Sequence, residues 1–257
     1  MKQQLTIVKV GGKIVETPET LDRLLHDFST LKGNKILVHG GGRTATQIAN
    51  QLNIETHMVE GRRITDEAML QVVTMVYGGL VNKNLVAKLQ SCGVNALGLT
   101  GADMNVIHSH KRPLKNGIDY GFVGDVDQVN SSQLEQLLNM GITPILAPLT
   151  HDGEGHMLNT NADTIAAETA KALANDFDVT LVYCFEHAGV LTDPDDESSV
   201  IPSINHSSFE QLKANGTVSG GMLPKIENSL AAVSAGVSRV IITRADKIST
   251  LEGTIIA

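Results

Sequence analysis

The chain has no tryptophan, and aromatic residues make up only 3% of its 257 positions. Its core must therefore be built from aliphatic side chains. Cysteine is scarce too: Cys92 and Cys184 show no metal-ligand spacing and read as free thiols of a reducing compartment. No run of 18 apolar residues occurs, and the apolar stretch within MKQQLTIVKVGG is short and lacks a cleavage-site pattern. These absences predict a soluble, cytoplasmic protein with no membrane partner. A net charge of −8 argues against a nucleic-acid binder, while leaving room for a local basic pocket. There is no G-x-x-x-x-G-K-[ST] phosphate loop and no G-x-S-x-G nucleophile elbow. His108 with His110, and the HDGEGH stretch at 151–156, find no third ligand at sensible spacing, so no metal site is expected.

What is present is an alternation of short apolar runs and helix-like stretches. LTIVKV at 5–10 and KILVH at 35–39 read as buried strands, each followed by glycines. Between them, Leu21, Leu24, Leu25, Phe28 and Leu31 recur at helical spacing behind Pro18. A helix over 43–52 follows, and a long one over 66–90 is expected to open on Thr65 as its cap. Gly78 and Gly79 inside the long helix suit close packing, within the chain or against a second copy. The turn-rich segment 104–130 predicts a β-hairpin unit placed as a lid over a ligand. Alternation resumes with a strand in GITPILAPL, a helix over 162–174, a strand in VTLVYCF, a helix over 222–235 and a late strand at 238–243. The β-α-β-α order implies a parallel sheet with helices on both faces. Two lobes, if present, are expected to meet in one continuous sheet around 140–177.

Five motifs can carry chemistry, each with a plainer structural reading beside it. In KVGG at 9–12, glycines after a strand let backbone N–H groups approach an anion that Lys9 would meet; otherwise Lys9 is a strand-end cation reaching water. VHGGGRTA at 38–45 resembles a dinucleotide turn, but equally suits a carboxylate or phosphate against bare backbone. In EGRRIT, Arg62 and Arg63 diverge from an extended chain, so one can offer a bidentate fork to a carboxylate. MLNTNADTIA places Asn159, Asn161 and Asp163 just before a helix, where Asp163 either caps or orients a lysine. In SGGMLPK, Lys225 stands about a turn inside a helix, against the macrodipole, and asks for an anionic partner.

Together and in this order the motifs resemble the amino acid kinase family, over residues 5 to about 243. KVGG resembles its K-x-G-G, HGGG its second glycine turn, NTNAD its N-x-N-A-D and GGMLPK its G-G-M-x-x-K. VEGRRIT, VNKNLVAKL and YGFVGDV are most similar to members that phosphorylate an acylated glutamate. The resemblance implies an α/β fold, a three-layer αβα sandwich around an open, mainly parallel sheet. It implies a lobe over 1–175 for the acylated amino acid and a lobe over 176–257 for ATP. The reaction implied is phosphorylation of the γ-carboxylate of N-acetyl-L-glutamate in arginine biosynthesis, or of another N-acyl-glutamate such as the N-succinyl compound. Lys9 and Lys225 would serve the phosphoryl group, with Asp163 fixing both. Gly41, Gly42, Arg63 and Asn159 would hold the amino acid. Gly11, Gly12, Glu186, Gly189, Leu191, Ser219 and Gly220 would surround ATP, whose Mg²⁺ rides on the nucleotide. Glu186, His187 and Ala188 depart from the more usual Asp-Val-Ser before Gly189. A homodimer through the 66–90 helix is expected.

Overall fold

The computed structural model describes residues 2–257 apart from Glu60, Lys115, Pro194 and Gly221. Strand β1 (Gln3–Val10) sends alternate side chains to opposite faces. Leu5 and Ile7 enter one apolar cluster, and Val8 and Val10 the other. Lys9 therefore shares the face of Leu5 and Ile7, at the strand's C-terminal end.

A single turn α1 (Gly12–Val15), α2 (Pro18–Thr30), β2 (Asn34–His39) and α3 (Gly42–Gln51) follow. Helix α2 buries Leu21, Leu24, Leu25 and Phe28, the stripe its spacing predicts. The short strands β3 (Met58–Val59) and β4 (Arg62–Arg63) pair antiparallel. Next come α4 (Glu67–Val73), a π-helical stretch Thr74–Val81 and α5 (Asn82–Ser91), without a break. Thr65 is not the cap expected of it. Its N–H donates to Tyr120 and its carbonyl accepts from Phe122, which holds it extended. The next residue, Asp66, caps instead, accepting from the Met69 N–H at 2.8 Å. Gly78 has an intrachain reason: a Cβ there would meet Leu149 at 3.4 Å and Thr100 at 3.5 Å.

The remaining elements are β5 (Ala96–Leu99), β6 (Ile107–Lys111), β7 (Gly124–Val129), α6 (Ser131–Asn139), β8 (Thr143–Leu146), β9 (Leu149–His151) and β10 (Met157–Asn159). After them come α7 (Ala162–Leu173), β11 (Phe177–Phe185), β12 (Ser203–Ile204), α8 (His206–Ala214), α9 (Met222–Ser234), β13 (Arg239–Arg244) and β14 (Thr254–Ile256). Eight strands form one sheet in the order β12-β14-β13-β11-β1-β2-β8-β5, and only β13 with β14 is antiparallel. The expected hairpin is β6–β7, and β9 and β10 extend it into a separate four-stranded sheet. Helices α1–α5 cover one face of the large sheet and α6–α9 the other, giving two aliphatic clusters and three layers. The sheet is continuous, with β1 and β11 paired in parallel near its centre.

His39 ends β2 with no solvent exposure. Its Nδ1–H donates to the Gly40 carbonyl at 2.7 Å, and Nε2 accepts from the Asn82 amide at 3.1 Å. That amide also donates to the Ile145 carbonyl at 2.9 Å, so the turn, α5 and β8 are tied together. Burial pushes the His39 pKa down from 6.5 to about 4. As pH falls, the unfolded chain takes up this proton first. The stability due to neutral His39 is thus complete above pH 6.5 and is lost as pH falls toward 4, by about 3 kcal/mol. In urea titrations, His39→Asn should flatten the fall in stability between pH 6.5 and 4; an unchanged slope would contradict a buried neutral imidazole.

Candidate active site

Strand alternation, helix capping and burial converge on Lys9. Its ammonium lies 2.7 Å from Asp163 Oδ1. Asp163 is free for this because Asn161, not Asp163, caps α7, accepting from the N–H groups of Asp163 and Thr164. Lys225, in the first turn of α9, stands 3.6 Å from the centroid of the Phe185 ring, and Lys9 stands 5.4 Å from it. Burial lowers the pKa of Lys225; Asp163 works against that, Lys9 adds to it, and Glu186 opposes it. Lys9, Lys225 and Asp163 thus gather at the carboxyl ends of β1 and β11, with Glu186 close enough to act on Lys225.

The two glycine turns face each other beside these lysines. A Cβ on Gly40 would lie 3.2 Å from the Gly12 nitrogen, and one on Gly41 would lie 3.0 Å from the Tyr77 ring. Gly12 and Gly42 each begin a helix, where first-turn N–H groups have no intrahelical acceptor. Lys9, Gly11, Gly12, Lys225 and Glu186 line a cavity of about 600 Å³. Cys184 also lines it, but burial pushes its thiol up to about 12, which disfavours a thiolate.

A second cavity of about 210 Å³ adjoins the first, and Gly42, Met58 and Arg63 line both. Gly41, Asn159, Tyr77 and Arg112 complete its polar wall. Arg63 is buried and makes no ion pair with a carboxylate among the described residues. Its Nη2 donates to the Gly42 carbonyl at 2.7 Å and to Thr46 at 2.9 Å. Asn159 donates to Thr65 at 2.9 Å. Arg112 is held by the Asp125 carboxylate with two bonds of 3.1 Å from Nε, and the pairing raises its pKa. Arg112, Tyr77 and Thr65 were not singled out in the sequence as site residues; their approach is tertiary and leaves no local spacing signal.

A third cavity of about 140 Å³ also adjoins the first, sharing His187 and Met222 with it. Gly189, Leu191 and Ser219 line it. Gly189 also serves packing, since a Cβ there would come within 2.6 Å of Thr254 Oγ1. Gly220, at φ +55°, lines none of the three cavities. Its neighbour Gly221 and the Glu60 of EGRRIT lie outside the described residues.

The expectation that HDGEGH finds no third ligand needs correction. Asp152, Glu154 and His156 bring ligand atoms within 4.8 Å of one another in the β9–β10 turn. None of them lines the three cavities, and Asp152 already accepts from the backbone of Glu154 and His156 and from His156 Nδ1. Among the described residues, no helix is long and apolar enough to cross a membrane.

Residues 4–244 match the sequence model of the amino acid kinase family. The acetylglutamate kinase of Bacteroides fragilis is 65% identical over 254 residues, covering 99% of this chain and 97% of that protein. The acetylglutamate kinase of Bacteroides thetaiotaomicron is 64% identical over 254 residues, with 99% and 98% covered. The crystal structure of smu.665 from Streptococcus mutans superposes with a TM-score of 0.78 at 30% identity, covering 98% of each chain. Helices on both faces of a mainly parallel sheet, the ordered motifs and these near full-length matches agree: the chain belongs to the amino acid kinase family.

Proposed function

We propose that this chain transfers the γ-phosphoryl group of MgATP to the γ-carboxylate of N-acetyl-L-glutamate, giving ADP and N-acetyl-L-glutamyl 5-phosphate for arginine biosynthesis. The Lys9–Asp163–Lys225 cluster, at the meeting of cavities that suit two anions, carries this reading. The chemical difficulty is repulsion. Two like charges about 4 Å apart at an effective dielectric of about 20 repel by roughly 4 kcal/mol. The acceptor carboxylate is already ionised at neutral pH, so no general base is needed. One carboxylate oxygen attacks the γ-phosphorus as the bond to the ADP oxygen breaks, and the lysines offset the charge carried by both.

In this reading Lys9 bridges the moving phosphoryl group, Lys225 reaches the ATP phosphates and Asp163 keeps both ammonium groups in place. N–H groups of Gly11, Gly12 and Gly41 donate to phosphoryl oxygens. Gly41, Gly42, Arg63 and Asn159 hold the acylated amino acid, with the Arg63 fork on its α-carboxylate. Among the described residues, Glu186 is the one carboxylate lining the central cavity, beside lysines and arginines. Such a donor set suits magnesium that enters on nucleotide oxygens and keeps waters. The lobe over 1–175 takes the amino acid and the lobe over 176–257 takes ATP. A cytoplasmic homodimer completes the reading; exposed Met75 and Leu80 on the π-helical stretch support a partner there.

ADP release measured with N-acetyl-L-glutamate beside N-succinyl-L-glutamate tests the reaction. Turnover on the acetyl compound is expected; turnover only on the succinyl compound overturns the acyl assignment, and turnover on neither overturns the reaction. Lys9→Ala and Lys225→Ala should each lower kcat by about 10²-fold or more, as loss of a transition-state charge partner does. Arg63→Ala should raise KM for the acylated acid and leave KM for ATP near its original value. Because burial lowers the Lys225 pKa below 10.5, kcat/KM for ATP should fall with rising pH along a limb centred below 10.5. Lys225→Arg, if it retains turnover, should move that limb upward.

A further inference from the structure

We propose that His187 is a nucleotide-specificity residue whose Nε2 accepts a hydrogen bond from a ribose hydroxyl of bound ATP. This rests on the kinase reading above. The second and third cavities each share lining with the central one and none with each other, and among the described residues His187 and Met222 line both the central and the third. The central cavity is walled by lysines and glycine backbone and suits a triphosphate. The third is walled by Val190, Leu191, Val218 and Met222 and suits an apolar, flat base. In a nucleoside triphosphate the sugar joins those two parts. The ribose must therefore pass the wall that His187 and Met222 share, and of these two only His187 offers a strong hydrogen-bonding atom.

The ring's orientation is set from outside the cavity. Nδ1 lies 2.6 Å from Glu197 Oε1. An ionised carboxylate can only accept, so Nδ1 carries the hydrogen and donates to Glu197, whose carboxyl this bond holds below its ordinary pKa. In the tautomer with its hydrogen on Nδ1, Nε2 holds the lone pair, and it has no hydrogen-bond partner among the described residues. Glu197 is itself held: Oε2 accepts from Arg244 at 3.3 Å and from the Ala188 N–H at 3.4 Å. Arg244 in turn grips Asp246 with bonds of 2.8 and 3.0 Å. This chain of charged groups fixes one nitrogen and leaves the other for ligand. It also gives a physical reason for the Glu186–His187–Ala188 departure noted in the sequence: the contact comes from an imidazole braced by a distant glutamate.

The test compares ATP, 2′-deoxy-ATP and 3′-deoxy-ATP on the full chain, by calorimetric binding without acceptor and by kcat/KM with N-acetyl-L-glutamate. The wild type should prefer ATP over at least one deoxy analogue by about 2- to 10-fold, the range of one net hydrogen bond. His187→Asn keeps a donor near the Nδ1 position for Glu197 but ends short of Nε2. It should lose that preference and raise KM for ATP, with KM for the acylated acid unchanged. His187→Gln, whose amide oxygen reaches the Nε2 position, should restore part of the preference. Equal discrimination by wild type and His187→Asn, or none by wild type against either analogue, overturns the proposal. If the wild type binds ATP but does not phosphorylate the acylated acid, the kinase reading fails alone and the binding ratios still decide the role of His187. Failure of the wild type to bind ATP overturns both.

Discussion

Two ammonium groups held around one carboxylate are the constraint on which the rest of the molecule depends. Lys9 is buried, and lysine is among the residues least often buried without a partner. Its partner Asp163 comes from α7, and the second cation, Lys225, from α9. Helix α7 packs on β1 and on α9, and α9 packs on β13 and β14, all on the sheet face that carries Leu5 and Ile7. The alternation of one strand thus decides which helices supply the charges. Arg43 and Arg63 join Lys9 and Lys225 in the wall of the central cavity and outweigh Glu186, and in a half-enclosed space attraction for an anion is stronger than in water. Burial works against charge on Lys225, and a bound phosphate would relieve it.

A second constraint shapes the backbone next to that charge. The turns after β1 and β2 approach so closely that a side chain on Gly40 would press on Gly12. Tyr77, from the π-helical stretch, closes over Gly41, and His39 holds the Gly40 carbonyl from beneath. Bare N–H groups at the start of α1 and α3 therefore stand beside two lysines. In the proposed reaction these donors, fixed before anything binds, would counter substrate repulsion.

Much of this was legible in the sequence because it is local. Aliphatic spacing marked α2, and glycines after apolar runs marked both turns. Asn161 and Asp163 announced a helix start, although the pairing of Asp163 with Lys9, 154 positions away, is long-range. What the sequence hid is long-range. Thr65 looked like a cap until its backbone was seen paired with Tyr120 and Phe122. The Asn82 amide meets His39 across 43 positions, and Arg112 reaches the second cavity from the edge of a hairpin. Nothing in the spacing of a single chain encodes such meetings. The adjoining cavities, and with them the place of His187, exist only once the sheet is assembled.

If Asp163 organises the two lysines for phosphoryl transfer, the single-turnover rate of Asp163→Asn with ATP and N-acetyl-L-glutamate both saturating reads that role. Removing the charge while keeping the side chain's shape leaves Lys9 and Lys225 repelling each other. The rate should fall by about 10²-fold or more, with circular dichroism showing the fold intact. A rate within about twofold of wild type would contradict the account, since a twofold change is well under the 1 kcal/mol scale of a single net hydrogen bond.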